Sequence, residues 1–136
     1  MEVFEEKRRK NIKEIMEFLA DEKNYPVYFH CKGGADRTGM LAIYLRALAG
    51  ETEDQIFTDY ELTSLSTYGA VLDRKYGVIV TETTGFRRRT DSYMVEFLNE
   101  LDKYNGENFN EKIKNFLLDC DIAQETLDRI TKIIKA

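Results

Sequence analysis

The sequence predicts an α/β fold in which one buried strand leads, through a glycine-containing loop, into a largely helical remainder. Residues 27–29 form a short apolar run of the kind that is typical of a buried strand. The glycines Gly33 and Gly34 follow, and a strongly apolar segment comes directly after the loop. In the last third of the chain, apolar residues recur at helical spacing, which favours helices over further strands.

An amphipathic helix is expected ahead of the strand, over residues 2–22. Its charged side carries the basic run 7–10, which either steers an anionic ligand or forms a solvated helix face. Pro26, the only proline in the chain, suits the first position of the strand. The apolar face of this helix is formed by Phe4, Ile12, Ile15, Met16 and Leu19.

The segment after the loop is expected to be a central helix over about 37–49, because it is apolar nearly all round. Gly50 is placed to end that helix. Thr52 and Gln55 have the spacing of a capping box for the next helix, over about 53–64. The residues expected to face inward on that next helix are Ile56, Phe57 and Tyr60.

The rest of the chain is predicted to be mainly helical. Residues 77–81 form either a strand or a buried extended run. Asp121 is expected to cap the last helix, and Cys120 is expected to be a packed, structural cysteine. The helices expected in the last third span 91–104, 109–118 and 122–135.

The composition of the chain narrows the classes of protein. With 136 residues, 43% of them hydrophobic, the chain is expected to form a single domain over residues 1–136. A net charge of −5 argues against nucleic acid as a partner. No segment approaches the roughly 18 apolar residues of a membrane-spanning helix. Two distant cysteines and one histidine predict neither a disulfide framework nor a metal site, and no cofactor is expected.

The loop from Cys31 to Arg37 has the composition of an anion-binding site. A strand–loop–helix connection points backbone N–H groups, and the positive end of a helix dipole, into the mouth of the loop. Gly33 and Gly34 permit the crowded backbone of such a turn. A thiol there is expected to have its pKa lowered from ~8.5 into roughly the range 3.5–7.5, which makes it a nucleophilic thiolate. The competing interpretation of Cys31 is an inert, buried cysteine.

Three residues at the end of the loop carry groups suited to phosphate chemistry. The planar guanidinium of Arg37 matches two oxygens of a phosphoryl group. The Thr38 hydroxyl is able to donate to the sulfur, and the Asp36 carboxyl is a candidate acid or base. Lys32 is either a further cation at the site or a solvated loop lysine. The residues expected to line the bound anion are His30, Lys32, Gly33, Gly34 and Ala35.

These residues support a resemblance to a known family. The pattern His30–Cys31, five residues, then Arg37–Thr38–Gly39 resembles the signature loop of the cysteine-dependent protein tyrosine phosphatase superfamily. The aspartate directly before the arginine, and the segment 59–62, resemble its bacterial branch of tyrosine and dual-specificity phosphatases, which includes phosphoinositide-active members. The resemblance implies that Cys31 is the nucleophile, Arg37 the phosphate clamp and Thr38 an aid to thiophosphate breakdown. It also implies acid or base work for Asp36.

The chain departs from the branch at two loop positions. Ala35 stands where many members carry lysine, and Lys32 is similar to the basic loop residues of lipid-directed relatives. The family fold also places several strands, and the usual general-acid loop, ahead of the signature loop. We therefore expect the chain to be the C-terminal part of a larger phosphatase-like fold, and to lack the upstream strands of that fold. A cytoplasmic location is expected, with secretion or a periplasmic location open if the N-terminus is truncated.

The resemblance predicts a metal-independent phosphatase that acts through a cysteinyl-phosphate. The expected substrate is a phosphorylated protein, or alternatively a phosphoinositide or inositol phosphate, and free phosphate or sulfate is expected to occupy the loop. Two rival hypotheses are a non-catalytic phosphate-binding module, and a redox or sulfur-transfer protein such as an arsenate reductase or rhodanese. Arg87, Arg88 and Arg89 either help to bind phosphate or lie at the surface. The sequence does not predict the oligomeric state.

Overall fold

The structure is a computed structural model that describes residues 2–68, 71–73, 77–79 and 92–136. The helices are α1 (Glu2–Leu19), α2 (Arg37–Ala49), α3 (Glu53–Tyr68), α4 (Ser92–Leu101), α5 (Phe109–Asp119) and α6 (Gln124–Lys135). A single turn of 3-10 helix spans Glu22–Asn24, and the strands are β1 (Val71–Asp73) and β2 (Gly77–Ile79). Arg87, Arg88 and Arg89, with the expectation made for them, lie outside the described residues.

The predicted strand at residues 27–29 is not found in the described part of the chain, which is mostly helical. The one sheet there is the antiparallel pair β1–β2, in which Val71 lies opposite Ile79. A strand needs a hydrogen-bonded neighbour, and an apolar run cannot supply one by itself. The segment therefore approaches the loop without belonging to a sheet in the described structure.

The central helix is α2, as the sequence predicts. It packs against α3, α5 and α6. Burying its large side chains stabilises the fold by roughly 1.5–3 kcal/mol for each. Gly50 ends the helix with φ +88°, in the left-handed region that favours glycine. The buried residues of α2 are Gly39, Met40, Ile43, Tyr44 and Ala47.

The predicted capping box at the start of α3 is confirmed. The Thr52 backbone N–H donates to Gln55 Oε1 at 2.9 Å, and the Gln55 N–H donates to Thr52 Oγ1 at 3.3 Å. The three predicted inward residues are buried, and α3 continues to Tyr68, beyond the expected end at 64. The helix follows α2 after a short connection and packs against it.

The predicted cap of the last helix is wrong. Ala123 is the N-cap of α6 and makes no side-chain capping bond. Asp121 instead adopts φ +61° and forms an ion pair with Lys13 of α1. A second ion pair, between Arg9 and Asp119 at 2.7 Å, also joins α1 to this junction. An acidic residue near a helix start has more than one partner available, and here the long-range partner is preferred.

Candidate functional site

The candidate site is built on the loop 31–36, which leads directly into the N-terminus of α2. Asp36 is the N-cap of α2, and its backbone oxygen accepts from the Met40 N–H at 2.8 Å. Gly34 has φ +71°, which an L side chain rarely adopts. The loop therefore turns at a glycine and presents its amides at the positive end of the α2 dipole.

Cys31 lies at the start of this loop and is partly exposed. The Thr38 hydroxyl acts most strongly on its sulfur, followed by the Thr38 backbone N–H and then the amides of Gly34 and Gly33. These donors lower the pKa of Cys31 to about 6, although partial desolvation opposes them. The thiol is therefore mainly a thiolate at neutral pH, which is the nucleophilic form.

The Thr38 hydroxyl is available to that sulfur. Thr38 Oγ1 is buried and has no partner of good hydrogen-bond geometry among the described residues. Its influence on the Cys31 pKa therefore belongs to a loose contact. A buried donor held beside a sulfur favours the thiolate over the thiol.

Arg37 is the first residue of α2 and is exposed. It lines, together with Cys31 and Thr38, a cavity of about 560 Å³. His30 lines the same cavity, with its Nδ1 atom 3.4 Å from the Cys31 backbone oxygen. Asp36 is exposed and makes no side-chain capping bond to α2. The structure therefore brings four predicted residues to the lining of one cavity: His30, Cys31, Arg37 and Thr38. Asp36 is adjacent to Arg37 in sequence.

The other predicted lining residues divide into two kinds. Lys32 and Gly33 are exposed, so they are accessible to a ligand in the loop. Ala35 is only 3% exposed, so it offers almost no accessible surface to a ligand in the loop. The residue at which the chain departs from the family branch is therefore buried.

Helix α1 supplies part of the cavity wall, which the sequence does not predict. Asn11, Ile15 and Phe18 line the cavity beside Cys31. Ile15 is 43% and Phe18 52% exposed, whereas the helical periodicity places Ile15 in the core. Sequence spacing identifies one apolar face of a helix but cannot tell core from cavity wall.

A second, smaller cavity of about 240 Å³ lies behind the loop, lined by Gly34, Thr38 and Asp59 among others. Asp59 Oδ2 lies 3.5 Å from Arg46 Nη1, so this acid is paired within the fold. The Tyr60 ring would lie 3.0 Å from a Cβ placed on Gly39. The family-like segment 59–62 therefore packs against the first turn of α2.

Metal-binding and membrane-spanning features are both absent from the part of the chain that the structure describes. The residues there contain no group of three or more His, Cys, Asp or Glu side chains able to hold a metal ion. None of the described helices combines the length and apolar character that crossing a bilayer requires.

Comparison with known proteins identifies the family to which this chain belongs. The profile described as the tyrosine phosphatase family matches residues 1–135. The chain therefore belongs to the tyrosine phosphatase family. The signature pattern from His30 to Gly39 lies inside this match.

Two curated relatives from Arabidopsis thaliana match a shorter stretch of 50 residues. Inositol diphosphatase DSP4 is 38% identical to the chain over that stretch, and inositol diphosphatase DSP2 is 40% identical. The alignments cover 37% of this chain, but only 25% and 20% of the two relatives. No solved structure matches the chain significantly.

Proposed function

We propose that the protein hydrolyses phosphate monoesters, with phosphotyrosine or dual-specificity substrates, through a cysteinyl-phosphate on Cys31. The observation that carries this proposal is the Cys31 thiol, whose pKa is lowered to about 6 at the N-terminus of α2. Arg37 lies at the same opening and supplies a cation for the phosphate oxygens. A thiolate and a phosphate clamp around one anion site are the two parts that this reaction needs.

In the first step, the Cys31 sulfur attacks phosphorus, so that a P–S bond forms as the P–O bond of the ester breaks. The loop amides and Arg37 hold the equatorial oxygens, where transition-state charge is spread. The departing alkoxide or phenoxide takes a proton, and Asp36 is the donor that this chain offers in the loop. None of these steps requires a metal ion or a cofactor.

In the second step, water attacks phosphorus and gives a proton to the Asp36 carboxylate, the P–S bond breaks, and phosphate leaves. The sulfur departs with the electron pair of that bond and becomes a thiolate again. Thr38 donates to the sulfur in this state, so it stabilises the leaving group of the second step. The same contact therefore serves both the attack and the release.

The second candidate substrate class is an inositol phosphate or phosphoinositide. Two observations support it: the two plant relatives are inositol diphosphatases, and Lys32 is exposed beside the nucleophile. A second cation at the loop suits a ligand with more than one phosphate. Membership of the bacterial branch remains a prediction from the aspartate before Arg37.

The test is hydrolysis of an aryl phosphate by the wild-type chain and by Cys31→Ser, Asp36→Asn and Cys120→Ser. We expect Cys31→Ser to lower kcat by at least about a thousandfold, because the nucleophile is lost. Cys120→Ser is the matched control and should stay within about twofold. Asp36→Asn should lose more activity on an alkyl phosphate than on an aryl phosphate, whose leaving group needs less protonation.

Turnover by Cys31→Ser at the wild-type rate would contradict the covalent mechanism. Tight phosphate binding by the wild-type chain without any turnover would instead favour the non-catalytic phosphate-binding module. Equal loss on aryl and alkyl phosphates in Asp36→Asn would remove the acid role of Asp36 and leave the nucleophile unaffected.

A further inference from the structure

A separate cavity of about 630 Å³ lies between α1 and α2, where Tyr93 of α4 forms part of its lining. Its lining includes the apolar side chains of Ile12, Ile15, Met40 and Leu41, together with Tyr44. Cavities of a few hundred to about 1,000 Å³ with mostly apolar walls are the usual form of small-molecule sites. The volume and the lining therefore suit the body of an apolar organic ligand.

The charges at this cavity are of one sign. Lys7, Arg8 and Arg37 line it, and its described lining residues include no carboxylate. The chain as a whole carries a net charge of −5, so the local excess of cations runs against the overall balance. Cations gathered at an apolar cavity favour an anionic ligand.

The polar group at the cavity that most needs a ligand is the Tyr44 hydroxyl. Tyr44 is 3% exposed, and its hydroxyl is buried without a hydrogen-bond partner of good geometry in the described part of the chain. Burial raises the pKa of Tyr44, and Arg8 is near enough to oppose that rise. The phenol therefore keeps its proton, and its oxygen is able to accept from the guanidinium, which offers only donors. The phenolic O–H still lacks an acceptor, and an anionic oxygen supplies one to both groups.

We propose that this cavity binds an amphiphilic organic acid, with its apolar body on Ile12, Met40 and Leu41 and its anionic oxygens accepting from Arg8 and Tyr44. An aryl or medium-chain alkyl carboxylate or sulfonate has this chemistry. The proposal goes beyond the proposed function, because the reaction at Cys31 needs neither Arg8 nor Tyr44.

The cavity adjoins the candidate site, because Asn11, Ile15, Arg37 and Leu41 line both. The bound acid therefore has two possible sources with the same chemistry. It is either a separate ligand or an acidic, apolar leaving group of the substrate, whose phosphate lies at Cys31.

The first experiment is calorimetric titration of the full chain with naphthoate and with the neutral naphthylmethanol. We expect saturable binding of naphthoate that weakens about tenfold in Arg8→Gln and several-fold in Tyr44→Phe, because each variant removes a donor to an anion. Lys10→Gln is the matched control, since Lys10 lies in the same basic run and is exposed. It should change the affinity by less than about twofold. The neutral alcohol should bind wild type and Arg8→Gln alike.

Amide chemical shifts should locate the ligand, with changes at Ile12 and Tyr44 and none along α6. Thermal unfolding checks that Tyr44→Phe remains folded. Absence of saturable naphthoate binding would overturn the proposal, as would equal weakening by Arg8→Gln and Lys10→Gln. These results do not depend on catalysis, so they fail or succeed separately from the proposed function.

The two sources are distinguished by hydrolysis of naphthylmethyl phosphates with and without a ring carboxylate. A leaving group held in the cavity predicts a lower KM for the acidic ester and loss of that preference in Arg8→Gln. If the acid is a separate ligand, KM should be the same for both esters. Naphthoate should then bind equally well with and without phosphate in the loop. The proposed acid site would be contradicted by two results together. The wild-type chain would fail to bind naphthoate, and Arg8→Gln and Tyr44→Phe would both retain the lower KM for the acidic ester.

Discussion

The two cysteines of the chain lie at opposite kinds of helix end. Cys31 is partly exposed at the start of the loop that leads into the N-terminus of α2. Cys120 is 4% exposed and is the C-cap of α5, where its N–H donates to the carbonyls of Phe116 and Leu117. A helix N-terminus favours a negative charge, and a helix C-terminus disfavours one. The same side chain is therefore placed in two opposing electrostatic settings.

The difference shows that access to donors, and not the presence of a thiol, makes a cysteine reactive. Donor groups near the sulfur, of which the Thr38 hydroxyl acts most strongly, lower the pKa of Cys31 to about 6. Burial raises the pKa of Cys120, so that thiol stays protonated and packs as an apolar side chain. One cysteine is suited to chemistry and the other to the core.

Apart from the loss of turnover expected in Cys31→Ser, the largest effect that separates the two cysteines concerns stability. Cys120→Ser should lower the free energy of unfolding by about 1–3 kcal/mol, because it buries a hydroxyl in place of a weakly polar thiol. Cys31→Ser is the matched control and should leave the denaturation midpoint nearly unchanged, since its side chain is partly exposed. Urea denaturation of both variants measures the difference. Equal destabilisation by the two substitutions would contradict the claim that only Cys120 belongs to the core.

A smaller effect is expected from the backbone of the loop. Gly34→Ala should weaken phosphate binding about tenfold, because an L residue in the left-handed region costs roughly 1–2 kcal/mol. Gly33→Ala is the matched control, since its added Cβ would meet nothing within 4 Å and Gly33 lacks a left-handed φ. Competitive inhibition by phosphate, or direct titration, gives the affinities. Similar losses of phosphate affinity in Gly34→Ala and Gly33→Ala would mean that the left-handed turn at Gly34 does not position the loop amides.

The smallest expected effect concerns the Thr38 hydroxyl and its influence on the pKa of Cys31. Thr38→Ala should raise the pKa of Cys31 by roughly one pH unit, because the donor that most stabilises the thiolate is removed. A higher pKa means less thiolate at neutral pH, so alkylation of Cys31 should slow there. Thr38→Ser keeps the hydroxyl and should retain the wild-type profile. If Thr38→Ala left the profile unchanged, the backbone amides alone would account for the low pKa.

The loop and its helix could be predicted from the sequence because their signals are local. The spacing of Cys31 and Arg37, the stop at Gly50 and the capping box at Thr52 each depend on a few neighbouring residues, and the two helix signals are confirmed. The sheet pairing of residues 27–29 could not be judged in this way, since pairing depends on a second segment.

Side-chain environments set by distant segments lie beyond what the sequence predicts. The position of Asp121 predicts a helix cap, but this residue pairs with Lys13, more than a hundred positions away. The periodicity identifies Tyr44 only as part of an apolar helix, although this residue lines the same cavity as Arg8 and its buried hydroxyl lacks a partner of good geometry among the described residues. Such partners are brought together by packing, so periodicity along one helix does not identify them.

The most direct test of the central claim is the pH profile of alkylation by iodoacetamide, followed at each cysteine by mass spectrometry. The thiolate is the reactive form, so the rate at Cys31 should be low in acid and rise through a midpoint at about pH 6. Cys120 should remain unmodified in the folded protein and react only after denaturation. A midpoint for Cys31 near the ordinary value of ~8.5, or equal reactivity of the two thiols in the folded chain, would contradict the account.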